Sequence, residues 1–409
     1  MGTLLLSALR EVIARDAIAL PLPFDGATAD LAALFMFDER LARADVVCLG
    51  EMNHFIHEKS DFRLFFARWL AARGWTAFAE ELGWSDGARV SRYLASGDEA
   101  VFARLPSFNY TGHLRTDRDD LPRGVLKASR EHYPVAAFVA EQSRFYRGLR
   151  GAGGMRFFGI DIDGAPGGSY EDIRAWLAPF AVDPAVARFL QALARVPGED
   201  ALQEAQRLRV IDASLLAGAV GEAVARDVRF SLDALIDSLN YIVLAYSAPR
   251  YDALRPAMAF RENAMKRRFT AAQALGGDKL VLMGHALHLA KQGDPVGASG
   301  VGPGGGQVSS LGVHLAQERG LKLFSVWMLY GAGRDSQPFP DLPRGAHYAP
   351  DTLNAILAER ALPLLLPLSD PIFQTPVKIG HMYNATVSVA PQQQADAIFF
   401  LPEVSPLRA

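Results

Sequence analysis

Cysteine is nearly missing: the 409 residues hold one, Cys48. A lone thiol excludes an intramolecular disulfide, and its place inside an apolar run makes it a small buried filler. Charge of one sign is lacking too. The formal net charge is −3, and no Lys/Arg cluster with interleaved aromatics occurs, so neither a nucleic-acid nor an anionic-membrane partner is indicated. No uninterrupted apolar run reaches the roughly 18 residues that a membrane-spanning helix needs. The start, Met1 to Glu11, lacks a basic region before its short apolar stretch, and Leu6 stands where a myristoylation motif has Ser or Thr. A cytoplasmic protein is the expectation. Equally missing are a Gly-x-Ser-x-Gly elbow, the Gly-Lys-Ser/Thr of a P-loop, a nucleotide fingerprint after the first strand and any solenoid-period repeat.

What is present is a chain half hydrophobic, long enough to bury a large core as one α/β domain with an insertion or as two domains. Four apolar runs end in ionisable groups. Val46-Val47-Cys48-Leu49-Gly50 leads into Glu51 and His54, with Glu58 and Arg63 following; Trp75 to Ala79 leads into Glu80 and Glu81. Met155 to Ile160 leads into Asp161 and Asp163, and Lys279 to Gly284 leads into His285 and His288. Alternating with helical periodicity, such runs predict a mostly parallel central sheet flanked by helices, whose strand ends share one edge. Glu51 and His54 could merely cap the next helix, but the recurrence favours one shared pocket. For Asp161 and Asp163, capping of the following helix is the expected use.

From about Tyr170 to Arg268 the periodicity is helical throughout. We therefore expect an α/β core over 1–169 and 269–409, with 170–268 as a helical insertion or lid forming a deep cleft. Strand character resumes at Leu321 to Trp327 and at Ala397 to Leu401. The segment Gly293 to Gly306, with seven glycines in fourteen residues, reads as a loop at the pocket mouth or a plain connection. His113 and Arg115 lie in a polar loop that borders the cleft without a chemical role, and His57 is ordinary.

Taken in order, these residues resemble the erythromycin esterase-like proteins. Gly50-Glu51-Met52-Asn53-His54 with Glu58 matches that family's first motif, and Glu81-Leu82-Gly83-Trp84 with Arg89-Val90-Ser91-Arg92-Tyr93 matches its second. Arg261-Glu262-Asn263-Ala264-Met265, His285-Ala286-Leu287-His288 and Asp396-Ala397-Ile398-Phe399-Phe400 complete the series. The matches span Val46 to Phe400. Glu262 replaces an Asp, Ala286 an Asn and Met283 an aromatic, and Lys266-Arg267-Arg268 replaces Ala-Glu-Asn; these departures lie around the pocket and speak against a macrolide substrate.

The resemblance implies hydrolysis of an ester or lactone, with a polyketide-like small molecule as substrate and no covalent serine. His54 is the expected base for a water, with Glu58 or Glu81 fixing its tautomer and Glu51 in support. His285, His288, Arg63 or Arg261 would supply donors to the oxyanion or to the substrate, the two histidines sharing a face at a helix start. The same side chains, His54, His285 and His288 with Glu51 or Glu81, could hold Zn or Mn by ligand type. The local string His54-Phe55-Ile56-His57-Glu58 has no zinc-protease order, so no cofactor is expected. Two other readings stay open. One is acyl transfer or lactone formation on the same site; the other is a non-catalytic protein that sequesters an apolar ligand among aromatics such as Phe108, Tyr110, Tyr241 and Tyr251.

Overall fold

Val46 to Leu49 carries no polar face, so as an extended segment it is stable only when covered on both sides; it forms the middle of a sheet with its side chains fully buried. A computed structural model describes residues 3–100, 134–163, 167–196, 200–210, 213–246, 255–293, 309–337 and 343–408. Residues 101–133, with Phe108, Tyr110, His113 and Arg115, Tyr251, and the glycine-rich segment beyond Gly293 lie outside the described residues.

The chain opens with helix α1 (Thr3–Asp16) and the two-residue strand β1 (Ile18–Ala19). Then come β2 (Val46–Glu51), α2 (Glu58–Ala71), β3 (Ala77–Gly83), α3 (Trp84–Ser96), α4 (Val135–Gly151) and β4 (Arg156–Asp161). Between β4 and the next strand the described residues are helical: α5 (Gly167–Leu177), α6 (Pro184–Leu193), α7 (Ala201–Val210), α8 (Ala213–Val220), α9 (Glu222–Tyr246) and α10 (Arg255–Gly276). The remaining strands are β5 (Leu280–His285), β6 (Leu323–Arg334), β7 (Gly345–His347), β8 (Leu364–Pro367), β9 (Val377–Gly380), β10 (Thr386–Val389) and β11 (Ala397–Val404).

The main sheet runs β1-β8-β11-β6-β2-β5-β3-β4, with β7 paired to the far end of β6. The six strands from β11 to β4 are parallel to their neighbours, while β1, β8 and β7 join antiparallel. The sheet is therefore mostly parallel. Its core packs Phe62, Phe65 and Phe66 of α2 against Phe399. A second apolar cluster joins Ile173, Phe189, Leu208 and Leu235 within the helices that follow β4. Among the described residues no helix is long and apolar enough to cross a membrane.

Two expectations about elements need correction. β6 continues to Arg334 because its last residues, partly exposed, hydrogen-bond to β7 as a hairpin arm that local apolarity does not announce. The residues directly after β5, 286–289, are not helical: Leu287 N–H is diverted to His285 Nδ1 at 3.3 Å, and His288 N–H turns back to the His285 carbonyl at 3.0 Å, which makes a tight turn instead. The small sheet of β9 and β10 was not expected from the sequence, yet it matters for the site.

Candidate active site

Register decides which groups meet. In the β2–β5 ladder Glu51 stands opposite His285, and in the β3–β5 ladder Glu80 stands opposite Met283, so Glu81 and Gly284 lie one step further along the same edge and His285 two. Gly284 makes room for this. A Cβ there would sit 2.9 Å from both the Cβ and Oε2 of Glu81. With only hydrogen in that space, Glu81 lies across β5 and accepts the His285 backbone N–H at 2.6 Å.

His54, in the loop after β2, is held between two carboxylates. Its Nδ1 is 3.2 Å from Glu51 Oε1 and its Nε2 is 4.0 Å from Glu81 Oε1. Glu51 is fully buried, and burial alone would raise its pKa. Arg63, which donates from Nη2 to both Glu51 oxygens at 3.0 and 3.2 Å, outweighs this together with His54 and brings it down to about 2. An ionised Glu51 can only accept, so His54 carries a proton at Nδ1 and turns its Nε2 towards Glu81.

Glu81 too is kept ionised. Burial opposes this, but His288, Arg261 and His54 together lower its pKa well below the ordinary carboxylate value. Arg261 of α10 donates from Nη2 to Glu81 Oε1 at 2.5 Å and from Nε to the two oxygens of Asp161 at 3.0 and 2.9 Å. His288 Nε2 lies 3.4 Å from Glu81 Oε1, and its Nδ1 bonds Glu262. Burial would lower the His288 pKa, yet Glu262 and Glu81 prevail and raise it to about 9, so the ring is a cation at neutral pH.

His285 is the opposite case. Burial, with His54 and other neighbouring rings adding to it, pushes its pKa well down and the ring is neutral. Its Nδ1 accepts the Leu287 N–H, so the remaining proton is on Nε2, which is buried and has no partner among the described residues. The His54 and His285 ring centroids are 5.2 Å apart. The site thus offers a base, a neutral donor and a fixed carboxylate within one small space.

His54, Glu51, Glu81, His285 and His288 are therefore brought together. Arg63 is buried behind them, its terminal nitrogens taken by Glu51 and Glu80, and Arg261 holds Asp161 and Glu81 through Nε and Nη2 while its Nη1 lies 3.4 Å from His288 Nε2, so both arginines fix carboxylates of the site. Glu58 is elsewhere. Its oxygens accept from the Ser405 N–H at 2.9 Å and the Ser405 hydroxyl at 2.6 Å, tying the segment after β11 to the start of α2. His57 bonds Glu141 nearby. The partner that fixes the His54 tautomer is Glu51, not Glu58. Asp161 pairs with Arg261 instead of serving only as a cap, and Asp163 accepts from Ser85 N–H at 2.9 Å at the start of α3 and from the Ser169 hydroxyl in the first turn of α5, the helix that follows it.

Among the described residues no three His, Cys, Asp or Glu side chains are grouped as metal ligands. Both nitrogens of His288 and both oxygens of Glu81 already have protein partners. Cys48 is fully buried in β2, its thiol pushed up to about 12 by burial, and takes no part.

Two site groups have roles that the sequence does not announce: Glu80, visible there only as a strand-end carboxylate, and His381. Glu80 anchors Arg63 from behind with Gln142 (2.8 Å) and Tyr146 (2.9 Å) of α4. His381, just past β9, is 1 % exposed and its ring lies 6.2 Å from that of His285. Its signal was present: Ile379-Gly380-His381 repeats the apolar-Gly-His ending of Met283-Gly284-His285.

Three solved structures share this architecture over nearly the whole chain. A Bacillus cereus protein aligns with a TM-score of 0.74 at 15 % identity, over 99 % of each chain. A succinoglycan biosynthesis protein aligns with a TM-score of 0.68 at 14 % identity, also over 99 % of each. A His-to-Asn variant of the erythromycin esterase EreC in its open conformation aligns with a TM-score of 0.66 at 18 % identity, over 95 % of this chain and 98 % of that one. No protein-family model and no curated protein matches the chain. The fold is erythromycin esterase-like; at these identities the likeness concerns the fold.

Proposed function

We propose that the protein is a hydrolase that cleaves a small-molecule ester or lactone with a water activated by His54, without a covalent enzyme intermediate. One observation carries this reading: His54 is oriented by ionised Glu51 at Nδ1 and faces Glu81 across 4.0 Å at Nε2. That gap is too long for a direct hydrogen bond and suits a water bonded to both groups.

In this arrangement the water donates one hydrogen to His54 Nε2 and the other to Glu81. As its oxygen adds to the carbonyl carbon, the proton passes to His54, whose positive charge Glu51 stabilises. The carbonyl oxygen gains charge and takes the Nε2–H of His285. Collapse of the tetrahedral species breaks the ester C–O bond, and the imidazolium of His54 returns its proton to the leaving alkoxide. Proton and electron pair are balanced with no external reactant. The erythromycin esterase-like fold and the missing nucleophile elbow support the same reading.

The test is a panel of esters and lactones incubated in ¹⁸O-water with wild type and with His54→Asn. Hydrolysis places the label in the released acid, and the variant loses about 10²–10⁴-fold in kcat if His54 is the base. Unlabelled acyl product would mean that a substrate hydroxyl attacks instead. Near wild-type turnover by the variant would remove His54 from the mechanism.

A further inference from the structure

His381 has a support out of proportion to anything its own side chain bonds. Its N–H donates to the Ala385 carbonyl at 2.9 Å, its carbonyl accepts from the Tyr348 hydroxyl at 3.2 Å, and the next N–H, of Met382, reaches the Met52 carbonyl at 3.1 Å in the very loop that carries His54. The preceding residue is clamped as well: Asn354 accepts from Gly380 N–H at 2.7 Å, donates to its carbonyl at 3.3 Å and donates to the Tyr330 carbonyl at 2.9 Å. A Cβ at position 380 would lie 2.3 Å from the Tyr348 ring, so only glycine lets that ring close over the strand.

The imidazole so held is buried, and neither of its nitrogens has a partner among the described residues. Leaving two polar nitrogens unpaired in an interior is destabilising, because each has lost its hydrogen bond to water. Such a cost is ordinarily offset by a ligand or by water. Beside it stands the other unpartnered imidazole nitrogen of the site, Nε2 of His285. The two rings are 6.2 Å apart and near perpendicular, at 84°.

An oxygen hydrogen-bonded to a ring nitrogen lies about 4 Å from that ring's centroid, so one oxygen shared by rings at this spacing sees them at about 100°, a normal angle for two donors on one acceptor. Resting on the hydrolytic reading above, we propose that His381 is a catalytic residue: its ring N–H and the Nε2–H of His285 together form the oxyanion hole for the tetrahedral intermediate. Burial lowers the His381 pKa to about 4, so at neutral pH it donates as a neutral dipole and does not compete with His54 for the proton. Fixed neutral donors in a water-poor site stabilise charge as it develops, with no reorganisation at the moment of reaction.

The experiment compares wild type, His381→Phe, His381→Asn and His54→Asn on whichever ester or lactone the wild type cleaves. A phosphonate monoester of that substrate serves as the tetrahedral mimic. Expected for H381F is a kcat lower by about 10²–10³-fold, with KM within threefold and weakened phosphonate binding. H381N, which keeps one N–H, recovers part of both. An H381F kcat within threefold of wild type, or an effect on KM alone, overturns the proposal. Should H381F fail to fold, unchanged phosphonate affinity in folded His381→Leu, which has no donor, overturns it. Turnover surviving in H381F while H54N is inactive refutes only the oxyanion hole; turnover surviving in H54N refutes the base. A wild type that cleaves no ester or lactone refutes both.

Discussion

Replacing Glu51 by Gln tests the site's electrostatics and its chemistry together. The amide keeps the shape but cannot balance Arg63, which is left with Glu80 alone, and it no longer favours the Nδ1–H tautomer of His54. The Glu51 pKa falls from the usual 4.5 to about 2 in the folded protein, which corresponds to roughly 3 kcal/mol of stability at neutral pH. Breaking a buried ion pair from one side costs about 3–5 kcal/mol, in the same range. With an unfolding entropy of about 2 cal/mol/K per residue, 3 kcal/mol lowers the Tm of a chain this long by about 3–4 °C.

The sign with pH follows from the depressed pKa. The Glu51 contribution is complete above about pH 4.5 and is lost as pH falls towards 2. Melting curves for wild type and E51Q should therefore run parallel from pH 8 to 5 and converge below that. In the same preparations kcat should drop about 10²–10³-fold, as expected when a base loses its orienting partner. An E51Q protein with wild-type Tm at pH 7, or with wild-type kcat, would refute the view that Glu51 is an ionised partner of both Arg63 and His54.

Other consequences are as direct. His288 is raised to about 9 by Glu262 and Glu81, so its stabilisation is complete below about pH 6.5 and fades as pH rises through 9; a Tm that declines over pH 6.5–9.5 in wild type should decline less in Glu262→Gln, and identical slopes would contradict the pairing. Glu58→Gln frees Ser405 and should lower the Tm by about 1–2 °C while the pH profile of kcat stays put; a shifted profile would bring Glu58 back into the chemistry. Cys48, buried with its thiol pushed up to about 12, should resist a thiol reagent until the protein is denatured, and rapid labelling of native protein would contradict its burial.

Strand and helix identity were legible because they follow from local periodicity, and the ends of β2, β3, β4 and β5 carry the ionisable groups that their sequences announce. The proposed base, His54, and the groups Glu51, Glu81, His285 and His288 are thus legible in the sequence alone. Which of them touch is not. Register alone sets Glu51 opposite His285, and register depends on the packing of both sheet faces. Glu58 matched a motif yet faces Ser405 from the first turn of α2, while Arg63, one and a half turns further, faces Glu51. His381 is 327 residues from His54 and reaches the site only because the β9–β10 hairpin docks on the loop after β2. Short-range pattern determined which residues could carry chemistry; long-range contacts, made by burying the sheet between its helices, decided which of them share one site.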